Sequence, residues 1–455
     1  MSAGGLSSAD WSAAVVAPLA ALGESPTRGD ANHPLPHVVA WNLTRRCNLA
    51  CAHCYISAGP TETADRDLTT EEFCRITDEI LALNPAPMFI LSGGEPLLRD
   101  DLDILAEYAS RRGATVVVGT NGTLLTTDRI RRLKDHGVQG VAVSVDSLDA
   151  SYHDRFRRGH GALAETLAAV DRLAASELDF LVQTTITRGN RSELRDLVTW
   201  SAERGAVAFN TYFLVATGRA AKMSNLSAAE YEDALTELVG LHREYVGRMM
   251  VRAKCAPQFM RLVREHAPES PMLNYPTRCP CGVQYCRITP DGHVTACPYL
   301  PLPAGDLRQD PFAAVWRSAP LFTTLREMAP EGKCGRCEYR VVCGGCRARA
   351  FAETGDYLAA DESCAYEPDG MRPLVTSSAS TSYGDAAAPE MEWAPDALER
   401  IERIPSFVRG VVVTRVEQYA RERGHARVTG ELLRDVRRHM PVDFSKRLPF
   451  FTRND

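Results

Sequence analysis

Three cysteines that directly follow an apolar, β-rich run are the feature that most constrains this chain. Cys47, Cys51 and Cys54 are separated by three and then two residues, and an aromatic residue, Tyr55, comes next. Four thiolates would complete a cubic iron–sulfur cluster or a structural zinc site. Three thiolates leave one iron of a [4Fe-4S] cluster without a protein ligand, and that open position suits a small chelating molecule. A zinc knuckle, or three unrelated thiols, is the alternative interpretation.

Length, charge and cysteine content exclude several classes of protein. The chain has 455 residues, enough for about two to four domains, and a formal net charge of −6 that argues against nucleic acid as the main partner. We find no apolar run long enough to span a bilayer, and the first 36 residues lack the basic leading segment of a signal peptide. The 14 cysteines, several in C-x2-C pairs, therefore predict metal ligation in a reducing, cytoplasmic compartment instead of disulfides.

From Val38 onward, apolar β-rich runs alternate with amphipathic segments. This alternation favours an α/β fold of parallel βα units, whose binding sites form at the carboxyl ends of the strands. The predicted strands are Val38–Leu43, Pro87–Leu91, Ala114–Gly119, Gly140–Val145, Phe180–Thr187 and Ala206–Val215, and the clearest predicted helices are Glu71–Leu83, Asp101–Arg111 and Ala162–Ala174. Cys74, inside the first of these helices, is interpreted as a packing residue.

Polar motifs follow several of these strands. Ser92–Pro96 has the sequence Ser-Gly-Gly-Glu-Pro, in which glycines allow a ligand to approach the backbone and Glu95 is expected to meet a ligand ammonium. Asn121, Ser144 and Asp146 come at later strand ends, and capping or turn roles are the alternative for each of them. Weaker candidates on the fifth strand are Gln183 and Thr185.

Basic residues also follow the strands. Arg155–Gly159 is interpreted as a basic loop that, with Arg219 after the sixth strand, holds substrate carboxylates through bidentate contacts. A solvated basic surface is the alternative.

Cys255 lies just before a second cysteine-rich segment. A lone cysteine is more often packing than a ligand, so Cys255 is a weak candidate for cluster ligation or substrate contact.

The C-x3-C-x2-C-aromatic pattern, with Ser-Gly-Gly-Glu-Pro one βα unit later, resembles the radical SAM superfamily. The resemblance implies a partial (β/α)6 barrel and a [4Fe-4S] cluster on Cys47, Cys51 and Cys54, whose open iron takes the amino and carboxylate groups of S-adenosylmethionine (SAM). Reductive cleavage of SAM then yields a 5′-deoxyadenosyl radical. The residues that the resemblance places around SAM are Tyr55, Gly93, Gly94, Glu95, Pro96, Asn121, Ser144 and Asp146.

The second cysteine-rich segment runs from Cys279 to Cys364, and its pairs with two intervening residues suit thiolate ligation of zinc or iron. It resembles the SPASM domain, which carries auxiliary [4Fe-4S] clusters, although two residues instead of three precede its sixth cysteine. One cluster is expected on Cys334, Cys337, Cys343 and Cys364. A second is expected on Cys297, Cys346, Cys281 and either Cys279 or Cys286. The resemblance leaves one or two auxiliary clusters open, and two zinc sites remain the alternative.

The C-terminal part is predicted to be a separate helical module. Apolar residues from Ile401 to Tyr419 recur at helical spacing, Gly424 can end that helix, and Thr429 can cap a second one through His439. Phrases here resemble the small helical domain that ends one subunit of light-independent protochlorophyllide reductase. The predicted organisation of the whole chain is an N-terminal arm (1–36), a barrel (37–245), a helical connector (246–275), a SPASM domain (276–370), a flexible linker (371–392) and the helical module (393–455).

Three phrases, Tyr285–Gly292, Cys297–Tyr299 and Cys343–Ala350, resemble enzymes of heme d1 and alternative heme biosynthesis. This resemblance implies oxidative decarboxylation, or removal, of a tetrapyrrole propionate or acetate, with Arg157, Arg219 and Cys255 as substrate candidates and a flavodoxin or ferredoxin as electron donor. The alternative is a SPASM peptide maturase, although many of those carry an N-terminal peptide-binding domain for which a 36-residue arm is too short. A third hypothesis is a non-enzymatic iron–sulfur carrier or zinc scaffold.

Overall fold

A sheet of ten strands organises the chain. The computed structural model describes residues 34–223, 226–274, 278–327, 329–376, 389–402, 404 and 406–439. Within them the strand order is β10-β9-β8-β1-β2-β3-β4-β5-β6-β7. β1 to β7 pair in parallel in chain order, β8 pairs in parallel with the free side of β1, and β8, β9 and β10 are antiparallel. The strands are β1 Val38–Asn42, β2 Met88–Ser92, β3 Thr115–Thr120, β4 Val138–Ser144, β5 Asp179–Ile186, β6 Ala208–Phe213, β7 Met250–Lys254, β8 Tyr285–Ile288, β9 His293–Cys297 and β10 Leu300–Asp306.

The predicted α/β class and all six predicted strands are confirmed, but the prediction of a helical connector over residues 246–275 is wrong in part. Met250–Lys254 form the seventh parallel strand, and only Phe259–His266 form an α-helix there. Arg252 and Lys254 interrupt the apolar run, so the segment lacks the signature of a buried strand. Both side chains lie on one face of the sheet, and strand alternation allows this.

Helices connect the parallel strands and begin with clear sequence signals. The first starts at a capping box, in which the Thr69 hydroxyl accepts the Glu72 N–H (3.2 Å) and the Glu72 carboxylate accepts the Thr69 N–H (2.9 Å). Ser227 and Glu230 form a second capping box before Ala228–Tyr245. The helices up to the linker are α1 Thr70–Leu83, α2 Leu102–Arg111, α3 Thr127–Asp135, α4 Ala150–Arg157, α5 Ala162–Ala174, α6 Leu194–Glu203, α7 Ala228–Tyr245, α8 Phe259–His266, α9 Phe312–Ser318, α10 Pro320–Glu327, α11 Gly332–Arg336 and α12 Arg347–Thr354.

The two faces of the sheet have opposite character. Pairing register places alternate residues of neighbouring strands on one side, and the outer set, such as Trp41, Phe89 and Val118, is fully buried. The inner set is largely polar toward the carboxyl ends: Asn42, Ser92, Ser144, Gln183, Asn210, Tyr212, Arg252, Lys254, Tyr285 and Arg287. Polar groups on an inner face predict a binding cavity instead of a packed core.

The C-terminal module has a hydrophobic core of its own. It contains α13 Pro395–Glu402, α14 Ser406–Glu422, α15 Gly430–His439 and a short parallel pair, β11 Glu392–Trp393 with β12 Arg427–Val428. Where one helix was predicted from Ile401 to Tyr419, one helix ends at Glu402 and another begins at Ser406. The predicted cap is confirmed, since the Thr429 hydroxyl accepts the Leu432 N–H at 3.2 Å. The buried core residues are Trp393, Ala397, Ile401, Val413, Val416, Ala420, Val428, Leu432 and Val436.

Two other predictions concern the N-terminal arm with the linker, and the absence of a membrane-spanning segment. Nearly all of the predicted arm and the middle of the predicted linker, residues 1–33 and 377–388, lie outside the described residues. Among the residues that the structure describes, we find no helix with the length and apolar character needed to cross a bilayer.

Candidate active site at the carboxyl ends of the strands

The three cysteines of the first motif share one small apolar cluster in the loop between β1 and α1. Cys47 and Cys51 are buried and Cys54 is partly buried, among Leu49, Ile56, Ala58 and Ala162. Burial raises the pKa of the Cys47 thiol to about 12. Thiolates in such surroundings need cationic partners, and the irons of a cluster provide them. The chemistry of this donor set therefore fits an iron–sulfur cluster.

The Gly-Gly-Glu-Pro segment packs against the cysteine loop. The Gly94 N–H donates to the Thr44 carbonyl (2.7 Å), and the Glu95 N–H donates to the Arg46 carbonyl (2.9 Å). A Cβ added to Gly94 would lie 2.2 Å from the Arg46 oxygen. The need for glycine at this position therefore comes from close contact between two protein segments, which fixes the loop against the end of β2.

Glu95 lies where the end of β2 meets the end of β3. Its side chain is fully buried and accepts hydrogen bonds from the Thr120 hydroxyl (2.7 Å), the Asn121 N–H (2.9 Å) and the Leu97 N–H (3.2 Å). Burial raises its pKa to about 7 against the opposing effect of these donors. All the observed contacts of this carboxylate tie the end of β2 to the end of β3.

Asp146 and Arg157 form a buried ion pair beside Cys51. Two nitrogens of Arg157 donate to one Asp146 oxygen (2.7 and 2.6 Å), and the Thr185 N–H donates to the other (2.8 Å). Arg157 also directs a nitrogen at the Cys51 sulfur, 3.9 Å away. The interpretation of residues 155–159 as a loop is wrong, because Arg155–Arg157 end α4. Arg157 serves Asp146 and Cys51, so it is not a free cation for substrate. Asp146 is fully buried in this pair.

Arg219 also supports the cysteine loop. Its N–H donates to the Cys54 carbonyl (3.0 Å), and its Nε donates to the Cys51 carbonyl (2.8 Å). The side-chain contact is therefore with the loop backbone. Arg219 therefore helps to position the cysteine loop. The sequence had predicted a contact with substrate instead.

Other predicted residues do come together near the thiols. Asn121 directs its amide nitrogen at the Cys47 sulfur (3.9 Å). Ser144 accepts a hydrogen bond from Gln183 (3.2 Å), and the Tyr55 hydroxyl accepts one from Asn42 (2.8 Å). Tyr55, Ser144 and Gln183 are each partly exposed, so they keep surface that a bound molecule can contact.

Four cysteines of the second segment line one pocket. Cys334, Cys337, Cys343 and Cys364 surround it together with residues such as Gln258 and Tyr339. Two backbone N–H groups point at its sulfurs: Gly345 donates to Cys343 (3.5 Å) and Asp361 donates to Cys334 (3.4 Å). These are the four thiols that the SPASM resemblance grouped, and their arrangement around an open space fits a cluster.

A second group of thiols lies next to the barrel interior. Cys279, Cys281, Cys297 and Cys346 act on one another electrostatically, and Cys255 belongs to the same group. A hydrogen bond from the Cys281 thiol lowers the pKa of Cys279 to about 7. Cys255 has a φ of +57°, a left-handed backbone that is uncommon for a residue with a Cβ. Its carbonyl accepts a hydrogen bond from Arg349 (2.6 Å).

Cys286 does not belong to this group, so its assignment as a ligand is wrong. It is fully buried in the main hydrophobic core, on the face of β8 opposite Tyr285 and Arg287. The alternation of side chains along a strand sends Cys286 and Ile288 outward. Of the alternatives Cys279 and Cys286 that the spacing left open, the structure brings Cys279 to the other thiols.

Three parts of the chain match known protein families. Residues 41–200 match the radical SAM superfamily, 279–338 an iron–sulfur cluster-binding domain, and 393–437 the proto-chlorophyllide reductase 57 kD subunit. The chain is 39% identical to the AdoMet-dependent heme synthase of Methanosarcina barkeri, over 73% of this chain and 97% of the relative. It is 37% identical to that of Nitratidesulfovibrio vulgaris, over 75% and 95%.

More distant similarities include a protein named for a different reaction. The mycofactocin maturase MftC of Mycobacterium ulcerans is 32% identical, over 70% of this chain and 84% of the relative. Among solved structures, anSMEcpe with bound AdoMet superposes with a TM-score of 0.56 at 16% identity, over 73% of this chain and 94% of that one. At that identity the superposition establishes only the fold.

The partial barrel, its three-cysteine loop and the second cysteine segment define a SAM-dependent iron–sulfur enzyme of the radical SAM superfamily with a SPASM region. The chain belongs to the family of radical SAM proteins that includes the AdoMet-dependent heme synthases. Its cofactors are accordingly a SAM-binding [4Fe-4S] cluster, SAM itself and auxiliary iron–sulfur clusters. The C-terminal module is the part of the chain that matches the reductase subunit.

Proposed function

We propose that this enzyme removes carboxyl groups from the side chains of a tetrapyrrole by oxidative decarboxylation. The observation that carries the proposal is the similarity to AdoMet-dependent heme synthases over nearly their full length. The polar inner face of the barrel supports it, since a substrate rich in carboxylates needs polar partners where it binds.

Cys47, Cys51 and Cys54 hold the first cluster, and with SAM it supplies a 5′-deoxyadenosyl radical when reduced. Around it, Arg157 and Asn121 direct nitrogens at two of the three sulfurs, and such donors stabilise anionic sulfur. Tyr55, Ser144 and Gln183 line the route into the barrel and orient the bound molecules. The surrounding protein excludes water and oxygen from the reacting atoms.

We further propose two auxiliary clusters. One is held by Cys334, Cys337, Cys343 and Cys364, which line one pocket. The other is held within the group formed by Cys279, Cys281, Cys297, Cys346 and Cys255. Conversion of a propionate to a vinyl group removes one hydrogen atom and carbon dioxide and leaves one surplus electron. The reaction needs a one-electron acceptor, and the second group of thiols, beside the barrel interior, is placed to hold one.

A second candidate is modification of a peptide. The similarity to mycofactocin maturase MftC favours it, but at lower identity and over less of the relative's length than the similarity to the heme synthases. The two candidates share the SAM chemistry and differ in what enters the barrel, so a substrate comparison distinguishes them.

The test is anaerobic incubation of reconstituted enzyme with SAM, dithionite and one substrate at a time: iron coproporphyrin, a siroheme derivative or a maturase precursor peptide. Mass spectrometry should find a tetrapyrrole product lighter by about 46 mass units, the equivalent of formic acid, for each propionate converted to vinyl. The Cys54→Ala variant is the matched control and should give no product. A modified peptide with unchanged tetrapyrroles would support the maturase function instead.

A further inference from the structure

The inner face of β7 and β8 carries basic side chains that the sequence-based predictions left without a role. Arg287 lies on β8, and Lys254 and Arg252 lie on β7. Register pairs Lys254 with Tyr212 and Arg252 with Asn210, which places all of them on the polar side of the sheet. They therefore border the same interior that the cysteine loop closes at the carboxyl ends of the strands.

Arg287 is a buried cation with no carboxylate partner. The residue is only 6% exposed, and its guanidinium lies 5.9 Å from the centre of the Tyr55 ring. Its Nη1 donates to the Pro298 carbonyl (3.1 Å), while its Nε has no hydrogen-bond partner. Within the described residues it takes part in no ion pair. A charge buried in this way is costly unless something compensates it.

Lys254 shows the same lack of a carboxylate partner. No described carboxylate forms an ion pair with it, and the charges that act on it are those of Arg252 and Cys255. The side chain is partly buried and keeps some accessible surface on the inner face of β7.

Aromatic rings line the space between the two cations. The Tyr55 and Tyr299 rings are 5.2 Å apart, and Tyr212 and Tyr285 lie within electrostatic reach of Tyr55. All four are partly accessible although they belong to the interior. Glu95 and Asp146, two carboxylates beside the first cysteine loop, are already engaged by hydrogen bonds. The cavity is thus aromatic-walled and positively charged.

We propose that Arg287 and Lys254 bind side-chain carboxylates of the substrate inside the barrel, with the tyrosines packing against its flat ring. Guanidinium and ammonium contacts to a carboxylate are strong when shielded from water, and each buried cation gains the partner that the protein does not supply. The inference rests on the proposed function and deepens it, because it assigns recognition to the carboxylates of a tetrapyrrole instead of to the metal or the ring alone.

The test is anaerobic binding of iron coproporphyrin and of its tetramethyl ester to SAM-loaded enzyme, followed by the change in the Soret band. The ester has the same ring but no free carboxylates. Wild-type enzyme should bind the acid more tightly than the ester. Arg287→Gln and Lys254→Gln should each weaken binding of the acid by about tenfold or more and leave binding of the ester nearly unchanged. Arg287→Lys keeps the charge and should retain more affinity than Arg287→Gln.

Arg155→Gln is the matched control, since Arg155 is exposed on α4, and it should bind both porphyrins as the wild type does. Iron content and circular dichroism establish that each variant is folded. If Arg287→Gln does not fold, the binding result of Lys254→Gln decides the test. Equal affinity of wild type and folded variants for the acid would overturn the inference and leave the proposed function standing. So would a changed potential of an auxiliary cluster in Arg287→Gln with unchanged binding, because Arg287 would then serve the cluster. Failure of the wild type to bind either porphyrin would remove the proposed function and the inference with it.

Discussion

Arg157 directs one guanidinium nitrogen at the sulfur of Cys51, 3.9 Å away, while its other nitrogens bind the buried carboxylate of Asp146. Asp146 fixes the position of the Arg157 guanidinium, and the guanidinium places positive charge beside Cys51. We therefore propose that Arg157, which was predicted to bind substrate, acts on the cluster instead. Hydrogen bonds and charge near the sulfurs are among the factors that set the reduction potential of a cluster.

Replacing Arg157 by Gln should lower the reduction potential of the SAM-binding cluster. Loss of the adjacent positive charge disfavours the added electron, and redox titration followed by electron paramagnetic resonance measures the shift. Asp146 would lose its buried partner, so we expect a loss of about 3–5 kcal/mol in unfolding free energy. Arg155→Gln, two residues earlier on α4, should change neither quantity. An unchanged potential in a folded Arg157→Gln protein would contradict the role assigned to this pair.

Replacing Cys47, Cys51 or Cys54 by Ala should abolish SAM cleavage while the auxiliary clusters remain. The three thiols lie in one cluster of residues, apart from the other cysteine groups. Iron should fall by about four atoms per chain, one cubane. Cys74→Ala, a buried packing position on α1, serves as control and should keep full iron. Undiminished 5′-deoxyadenosine formation in any of the first three variants would refute the assignment.

Cys286→Ala should keep the wild-type iron content, whereas Cys297→Ala should lose iron from an auxiliary cluster. Cys286 packs in the hydrophobic core and Cys297 lies among the other thiols. Iron analysis and electron paramagnetic resonance of the reduced proteins provide the measurement. Cys255→Ala tests whether the fifth thiol of that group is also a ligand, and we expect partial iron loss or an altered spectrum. Loss of iron in a folded Cys286→Ala protein would restore it as a ligand.

Ending the chain after Thr376 should leave SAM cleavage without substrate intact. The removed module has its own core and contacts the barrel through Ser406, whose N–H donates to the Ala86 carbonyl (3.0 Å) and whose hydroxyl bonds with Asn84 (2.8 Å). Asn84 is fully buried and would lose that partner, at a cost of about 1–3 kcal/mol. Thermal unfolding should show a similar cost for Ser406→Ala in the full chain. A truncated protein that folds and retains its iron but cannot cleave SAM would show that the module is part of the catalytic unit.

Local rules predicted the framework well. The helix predicted over Glu71–Leu83, the cap at Thr429 and the apolar strands depend on contacts within a few residues, so the sequence is sufficient for them. The motifs around Cys47 and Gly94 were found for the same reason. β7 was missed because Arg252 and Lys254 obscure the apolar run that identifies a buried strand.

Long-range pairing was not predictable from spacing. Arg157 contacts Asp146, just after β4, and Cys51, in the loop after β1, so one of these contacts joins residues far apart in the sequence. The run of arginines from 155 to 158 gives no sign of which one is buried. Cys286 and Arg287 are adjacent, yet strand alternation sends one to the core and the other to the interior. That alternation could have been applied to Tyr285–Ile288, but the cysteine pattern drew the interpretation toward ligation.

The anchoring of the C-terminal module at Ser406 has a consequence for how a reaction cycle is organised. Asn84 and Ala86 precede β2, and His37, which also bonds with Ser406 (2.7 Å), precedes β1. The thiols of the first cluster follow the opposite end of β1, roughly 17 Å away for five extended residues. Any partner that docks at this anchor therefore meets the barrel at the amino ends of its strands, opposite the three-cysteine loop.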